Sequence, residues 1–288
     1  MLTPEELRQI RRLQLQAGRR VDSLFAGNYR SAFRGRGMEF EEVRPYVPGD
    51  DVRRIDWNVT ARTGEPFIKE FREERQLTLQ LVLDVSGSVG FGSGGRDGRT
   101  DKALQQARIG AALAHAATAA SDRVGLVTFA RDVVEYIPPR RSRGHAWRVI
   151  RAAFAHRAEQ RGTDVGAAAE FLGRVLKRRA VICFISDFID PGPWDRALAS
   201  LSRRHRVNTF LLHDPHELAL PSVGLVELED AESGHTVLVD AARLRGVLGV
   251  QAREQRLRRA GAQVTAVSTM DDPFQRLVEH FHRVERMR

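Results

Sequence analysis

The apolar run that opens at Leu77 closes in Asp84-Val85-Ser86-Gly87-Ser88, which sets a carboxylate and two hydroxyls at alternate positions. On an extended chain alternate side chains share a face, so the three oxygens point the same way. A second apolar run, Ala180 to Ile185, closes in Ser186-Asp187, and a loop ahead of a helical stretch supplies Gly162-Thr163-Asp164. Taken singly, the first motif reads as a tight strand-to-helix turn and Thr163 as a helix cap. Taken together, at the ends of strands in one sheet, Asp84, Ser86, Ser88, Thr163 and Asp187 read as one metal site. Hydroxyls and carboxylates without histidine or thiolate favour Mg2+, with Mn2+ as a substitute, over zinc. If the two carboxylates act mainly through water, the ion stays under-neutralised and open to a carboxylate from outside.

These residues need a scaffold that brings strand ends together. After Gln76 the sequence alternates strands with helices, the pattern of a mainly parallel sheet covered on both faces, whose ligands bind beyond the carboxyl ends of the strands. Strands are expected at Leu77 to Val85, Val124 to Phe129, Val133 to Ile137, Ala180 to Ser186, Val207 to His213 and Gln263 to Val267. Helices are expected near Lys102 to Ala120, His145 to Phe154, Asp164 to Lys177, Trp194 to Arg203, Ala241 to Arg259 and Pro273 to Val284, with a β-hairpin inserted near 223–240. Ahead of this domain, 76–288, the spacing predicts two further pieces. Residues 1–27 form an amphipathic helix, started by Thr3-Pro4-Glu5-Glu6 and carrying an apolar stripe at Leu7, Ile10, Leu13, Ala17, Val21 and Leu24. Residues 28–75 form a β-rich attachment with extended pieces at Met38 to Val43 and Pro66 to Phe71, joined through a stretch from Arg44 to Trp57 that is dense in turn residues, charges and aromatics. Tyr46 and Trp57 are expected to pack this attachment onto the main domain.

Asp84-x-Ser86-x-Ser88, Gly162-Thr163-Asp164 and Ser186-Asp187 resemble the metal-ion-dependent adhesion site of von Willebrand factor type A domains. The block Gly35-x-Gly37-x-Glu39-Phe40-Glu41-Glu42-Val43-Arg44-x-Tyr46-x-Pro48-Gly49-Asp50-Asp51-x-Arg53-x-Ile55-Asp56-Trp57, followed by Ala61-Arg62, is similar to the bacterial domain-of-unknown-function family fifty-eight, in which such a block precedes a type A domain. The resemblance runs from about Val21 to the last helix. It implies a doubly wound α/β fold in which Ser86, Ser88 and Thr163 offer hydroxyls to the ion and Asp84 and Asp187 hold it directly or through water. It further implies a non-enzymatic adaptor that grips an acidic group on a protein partner, and a MoxR-type AAA ATPase as that partner, in chaperone-like maturation or assembly of other proteins.

Other chemistries are weighed on the same residues. A magnesium-dependent phosphohydrolase would use Asp84 as nucleophile, yet the acid/base aspartate such enzymes place two residues on is Ser86 here. Gly90-Phe91-Gly92-Ser93-Gly94-Gly95 matches the dinucleotide fingerprint formally, but no helix begins within its glycines, and Arg96-Asp97 replaces the lysine and hydroxyl of a P-loop. A net charge of +9 raises the question of nucleic acid, with Arg8, Arg11, Arg12, Arg19 and Arg20 as a candidate face. The charge is diffuse and almost entirely arginine, so nucleic acid is not the expected partner. The nine histidines form no zinc set, and the single Cys183 excludes a disulfide framework. No apolar run is long enough to cross a bilayer and the first residues are acidic rather than signal-like, so the chain is expected to be cytoplasmic.

Overall fold

The computed structural model of the chain describes residues 26–33, 38–73, 76–90, 101–155, 162–218, 225–229, 236–240 and 249–287. In chain order the elements are α1 (Ala26–Phe33), β1 (Met38–Pro45), α2 (Trp57–Thr63), β2 (Phe67–Glu73), β3 (Thr78–Asp84), α3 (Lys102–Ala119), β4 (Arg123–Phe129), β5 (Val133–Arg140), α4 (Arg143–Ala155) and α5 (Val165–Val175). They continue with β6 (Val181–Ser186), α6 (Asp195–Arg204), β7 (Arg206–His213), the single turn α7 (Pro215–Leu218), β8 (Leu225–Glu229), β9 (Thr236–Asp240), α8 (Val250–Arg259), β10 (Gln263–Ser268) and α9 (Pro273–Arg286). Six strands form one sheet in the order β10-β7-β6-β3-β4-β5, parallel except for the edge strand β5. This is the doubly wound, mainly parallel sheet expected from the sequence, and β8 and β9 pair antiparallel as the expected hairpin.

Strand periodicity divides the core into two layers. Leu79, Leu81 and Leu83 of β3, with Val181, Cys183 and Ile185 of β6, face a layer built from α1, α3, α4 and α9. Val82 of β3, with Ile182 and Phe184 of β6, faces a second layer built from α5, α6 and α8. Burial of both faces removes the polar alternation of a half-exposed strand, which is why these runs read as continuous apolar stretches. The β4–β5 junction is tight: a Cβ on Gly125 would lie 2.8 Å from the Ile137 carbonyl oxygen and 2.9 Å from the Pro139 nitrogen, so only glycine fits there.

Two stretches inside the expected β-rich attachment, 28–75, are helical. Residues from Asn28 to Phe33 belong to α1, whose Tyr29 and Phe33 meet the ring of Phe281 edge-on at 6.1 Å and 5.2 Å. Apolar burial against the main sheet's helix layer therefore decides their conformation, and they belong to that core rather than to the attachment. Residues Trp57 to Thr63 form α2, because the Asp56 carboxylate accepts the N–H groups of Asn58 and Val59 and Gly64, at φ 80°, closes the other end. Trp57 does not pack onto a core: it is 68% exposed, while Tyr46 is partly buried. The helix expected over 1–27 lies, apart from its last two residues, outside the described residues, as do the basic face on it and the glycine-rich loop 91–100.

Candidate metal site at the carboxyl edge of the sheet

Parallel pairing sets Leu83 beside Ile185. One residue further on each strand, Asp84 and Ser186 are neighbours on the same face, and the Ser186 hydroxyl donates to Asp84 Oδ2 at 2.6 Å. The other carboxylate oxygen accepts the Ser86 N–H at 2.9 Å, and the Ser86 and Ser88 hydroxyl oxygens lie 3.2 Å apart. Gln106 of α3 donates its amide to the Asp84 main-chain oxygen at 2.7 Å and fixes the strand end. Asp84, Ser86, Ser186 and Asp187 are fully buried and Ser88 nearly so. Burial, and next the charge of Asp187, push the Asp84 carboxyl up to about 7, against the hydrogen bonds from Ser186 and Ser86 that favour its charged form.

Thr163 is partly buried and stands at the same edge. Its loop is stitched on both sides: the Asp164 N–H donates to Ala130 O at 2.9 Å, just past β4, and the Val165 N–H donates to Asp190 Oδ2 at 2.9 Å, just past β6. Asp164, not Thr163, caps α5, through the Ala167 N–H at 2.7 Å. The capping alternative for Thr163 is therefore taken by its neighbour. After Asp187, Phe188 adopts the left-handed region at φ 53°, and its N–H donates to the Ser186 hydroxyl at 2.8 Å. A buried, non-glycine residue in that region carries strain of order 1–3 kcal/mol.

The largest addition to the sequence reading is Lys102, the first residue of α3. Its side chain is fully buried, and its ammonium donates to Asp187 Oδ2 at 2.6 Å and to Glu217 Oε1 at 2.5 Å. Burial alone would lower the pKa of Lys102, but the charges of Asp187 and Glu217 outweigh it and the net shift is upward. Arg253 of α8 adds a guanidinium hydrogen bond to the Asp187 carbonyl oxygen. The usable signal was compositional: Lys102 is one of only three lysines in an arginine-rich chain, and a compact ammonium suits a closed pocket where a planar fork does not. Nothing in the local sequence indicated Glu217, which arrives from α7.

Tested against the chemistry of a hard cation, the donor set fits. It offers the carboxylates of Asp84 and Asp187 and the hydroxyls of Ser86 and Ser88, and among the described residues no group of three or more His, Cys, Asp or Glu could hold a metal ion. Among those residues Asp84 is held by amide and hydroxyl donors, and a buried carboxylate beside another gains most from a cation. Cys183, by contrast, is a buried core thiol whose pKa burial raises. No helix among the described residues is long and apolar enough to cross a membrane.

Comparison with known proteins agrees with this architecture. The model of the family described as "Protein of unknown function DUF58" matches residues 42–258. The chain is 34% identical over 233 residues to "Uncharacterized protein Rv1480" of Mycobacterium tuberculosis (strain ATCC 25618 / H37Rv), covering 80% of this chain and 72% of that protein. "Uncharacterized protein Mb1516" of Mycobacterium bovis matches with the same identity and coverage. Among solved structures, BatB from Bacteroides thetaiotaomicron aligns with a TM-score of 0.52 at 15% identity, over 73% of this chain and 99% of that one. An aerotolerance-related membrane protein from Bacteroides fragilis aligns with a TM-score of 0.53 at 16% identity, over 74% and 100%. At such identities the structural likeness speaks for the fold alone. The sequence match over most of the chain identifies this protein as a member of the DUF58 family.

Proposed function

We propose that the carboxyl edge of the sheet is a Mg2+-dependent protein-docking site and that the chain works as a non-enzymatic adaptor in the cytoplasm. The observation that carries the reading is the fully buried Asp84 carboxylate, caged by the Ser86 amide and the Ser186 hydroxyl beside Asp187, with its pKa pushed up to about 7. Asp84, Ser86, Ser88, Thr163 and Asp187 would hold the ion, with Ser186 orienting Asp84. A bound Mg2+ or Mn2+ would neutralise the two carboxylates and leave a position for an acidic group of the partner. The same Asp84 is a poor nucleophile, because burial and two hydrogen bonds hide both its oxygens. The resemblance noted above makes a MoxR-type AAA ATPase the partner to test, in maturation or assembly of other proteins.

The test is co-purification of the chain with such an ATPase from the same genome, in Mg2+ and in chelator. Capture should be lost in chelator and weakened by Asp84→Ala and Ser86→Ala in protein that still unfolds cooperatively. Equal capture under both conditions contradicts the proposal, and Mg2+-dependent phosphate release abolished by Asp84→Asn would replace it with a phosphohydrolase.

A further inference from the structure

Lys102 sits where a cation is least welcome on general grounds. It occupies the first turn of an 18-residue helix, α3, so the helix dipole opposes its charge, and its side chain is fully buried. What offsets both penalties is the pair of carboxylates on either side of its ammonium, Asp187 at 2.6 Å and Glu217 at 2.5 Å. Asp187 is one of the two acids of the candidate metal site. Glu217 is nearly buried, at 7% side-chain exposure, and its second oxygen accepts the Asp214 N–H at 3.2 Å, so it is fixed independently of the lysine. Asp187 is likewise anchored by the Ile189 N–H, which donates to Oδ1 at 3.1 Å. The ammonium thus has one acceptor that a divalent ion would claim and one that it would not.

We propose that Lys102 is a tethered cation that competes with the divalent ion for Asp187, and that Glu217 is the acceptor to which its ammonium withdraws when the ion binds. This deepens the metal-site reading and rests on it. Two cations drawn to one buried carboxylate repel strongly where water is excluded. The lysine therefore holds the metal-free edge together and sets the affinity for the ion below what the oxygens alone would give. Coupling follows from the connectivity: metal binding draws the ammonium toward α7, the turn that leads on to the β8–β9 hairpin.

The experiment is a Mn2+ titration, read by the loss of the free-ion EPR signal, on wild type, Lys102→Met/Glu217→Gln, Glu217→Gln and Asp84→Asn, with thermal unfolding of each to verify the fold. The double variant removes one positive and one negative charge, so the net charge of the site is unchanged and a gain in affinity reports lost competition. It should bind Mn2+ about fivefold more tightly or better, whereas Glu217→Gln, which removes the carboxylate to which the ammonium would withdraw, should bind about fivefold more weakly. A folded double variant with equal or weaker affinity, alongside Asp84-dependent binding by wild type, overturns the competition and leaves the metal site standing. Absence of Mn2+ binding in both wild type and the double variant overturns both. Should the double variant not fold, unchanged or tighter binding by Glu217→Gln is the contradicting result.

Discussion

Asp50 and Asp84 are the same side chain moved in opposite directions. Asp50, in the turn between β1 and α2, is held down to about 2 by the guanidinium of Arg44, which bonds both its oxygens at 2.8 Å and 2.9 Å, and by the Val47 N–H. Asp84 is pushed up to about 7 by burial and by Asp187. Every charge partner of Asp50 lies within a few residues of it, and local capping recurs at Asp51, which caps the 3-10 turn Val52–Arg54, and at Asp56, which caps α2 and also pairs with Lys69 of β2. Beside Ser86, Asp84 takes partners from the end of β6 and from α3, and Lys102 reaches Glu217 across 115 residues of sequence. The attachment uses charge to fold its own turns; the sheet edge stores charge that nothing local requires.

The strongest way to break that contrast is to remove the buried cation. Lys102→Met removes the ammonium that pairs directly with Asp187 and Glu217, leaving Arg253 as a charge near both, and should lower the stability of the metal-free protein by about 3 kcal/mol in urea unfolding. Arg44→Met, at a pair that water reaches, should show a much smaller loss in the same measurement. Equal losses would mean that the edge carries no stored charge of its own.

The two aspartates should also respond to pH with opposite sign. For Asp84 the folded pKa lies above the unfolded value, so its contribution is present at low pH and is lost as pH rises from about 4 to about 7. For Asp50 the folded pKa lies below, so its contribution is present at neutral pH and is lost as pH falls from about 4 to about 2. In metal-free protein Asp84→Asn should therefore melt above wild type at pH 8 and converge with it near pH 4, while Asp50→Asn should melt below wild type at pH 7 and converge near pH 2. An Asp84→Asn variant less stable than wild type at pH 8 without metal would show that the carboxylate is already compensated. The smallest effect belongs to Trp57: with its ring 68% exposed, Trp57→Ser should stay within about 0.5 kcal/mol of wild type, and a larger loss would restore it as a packing residue.

The sheet was legible because its signal is a period. Leu79, Leu81 and Leu83 against Val82 and Asp84 state which face each strand residue takes. The two short helices were not legible, since Ala26–Phe33 is helical through its contact with Phe281, a partner at the far end of the chain, and Trp57–Thr63 through a capping aspartate in a stretch crowded with competing turn residues. Trp57 misled for a related reason: an aromatic beside charges is as compatible with a surface as with a joint. Lys102 was passed over as a site residue because a lysine opening a helix reads as solvated, its rarity in an arginine-rich chain being the one sequence cue, and the tertiary fold sets two carboxylates around it. Local sequence reports what neighbours do to one another, and the candidate site joins the Asp84–Ser88 turn to residues from distant segments.

The most direct test of the cation site is equilibrium binding of Mg2+ and Mn2+ to metal-free protein, by calorimetry, for wild type and Asp84→Asn side by side. The account predicts one divalent ion per wild-type chain, with binding abolished by the substitution while the variant remains folded. Wild type that takes up no ion, or a folded Asp84→Asn variant that binds as wild type does, would contradict it.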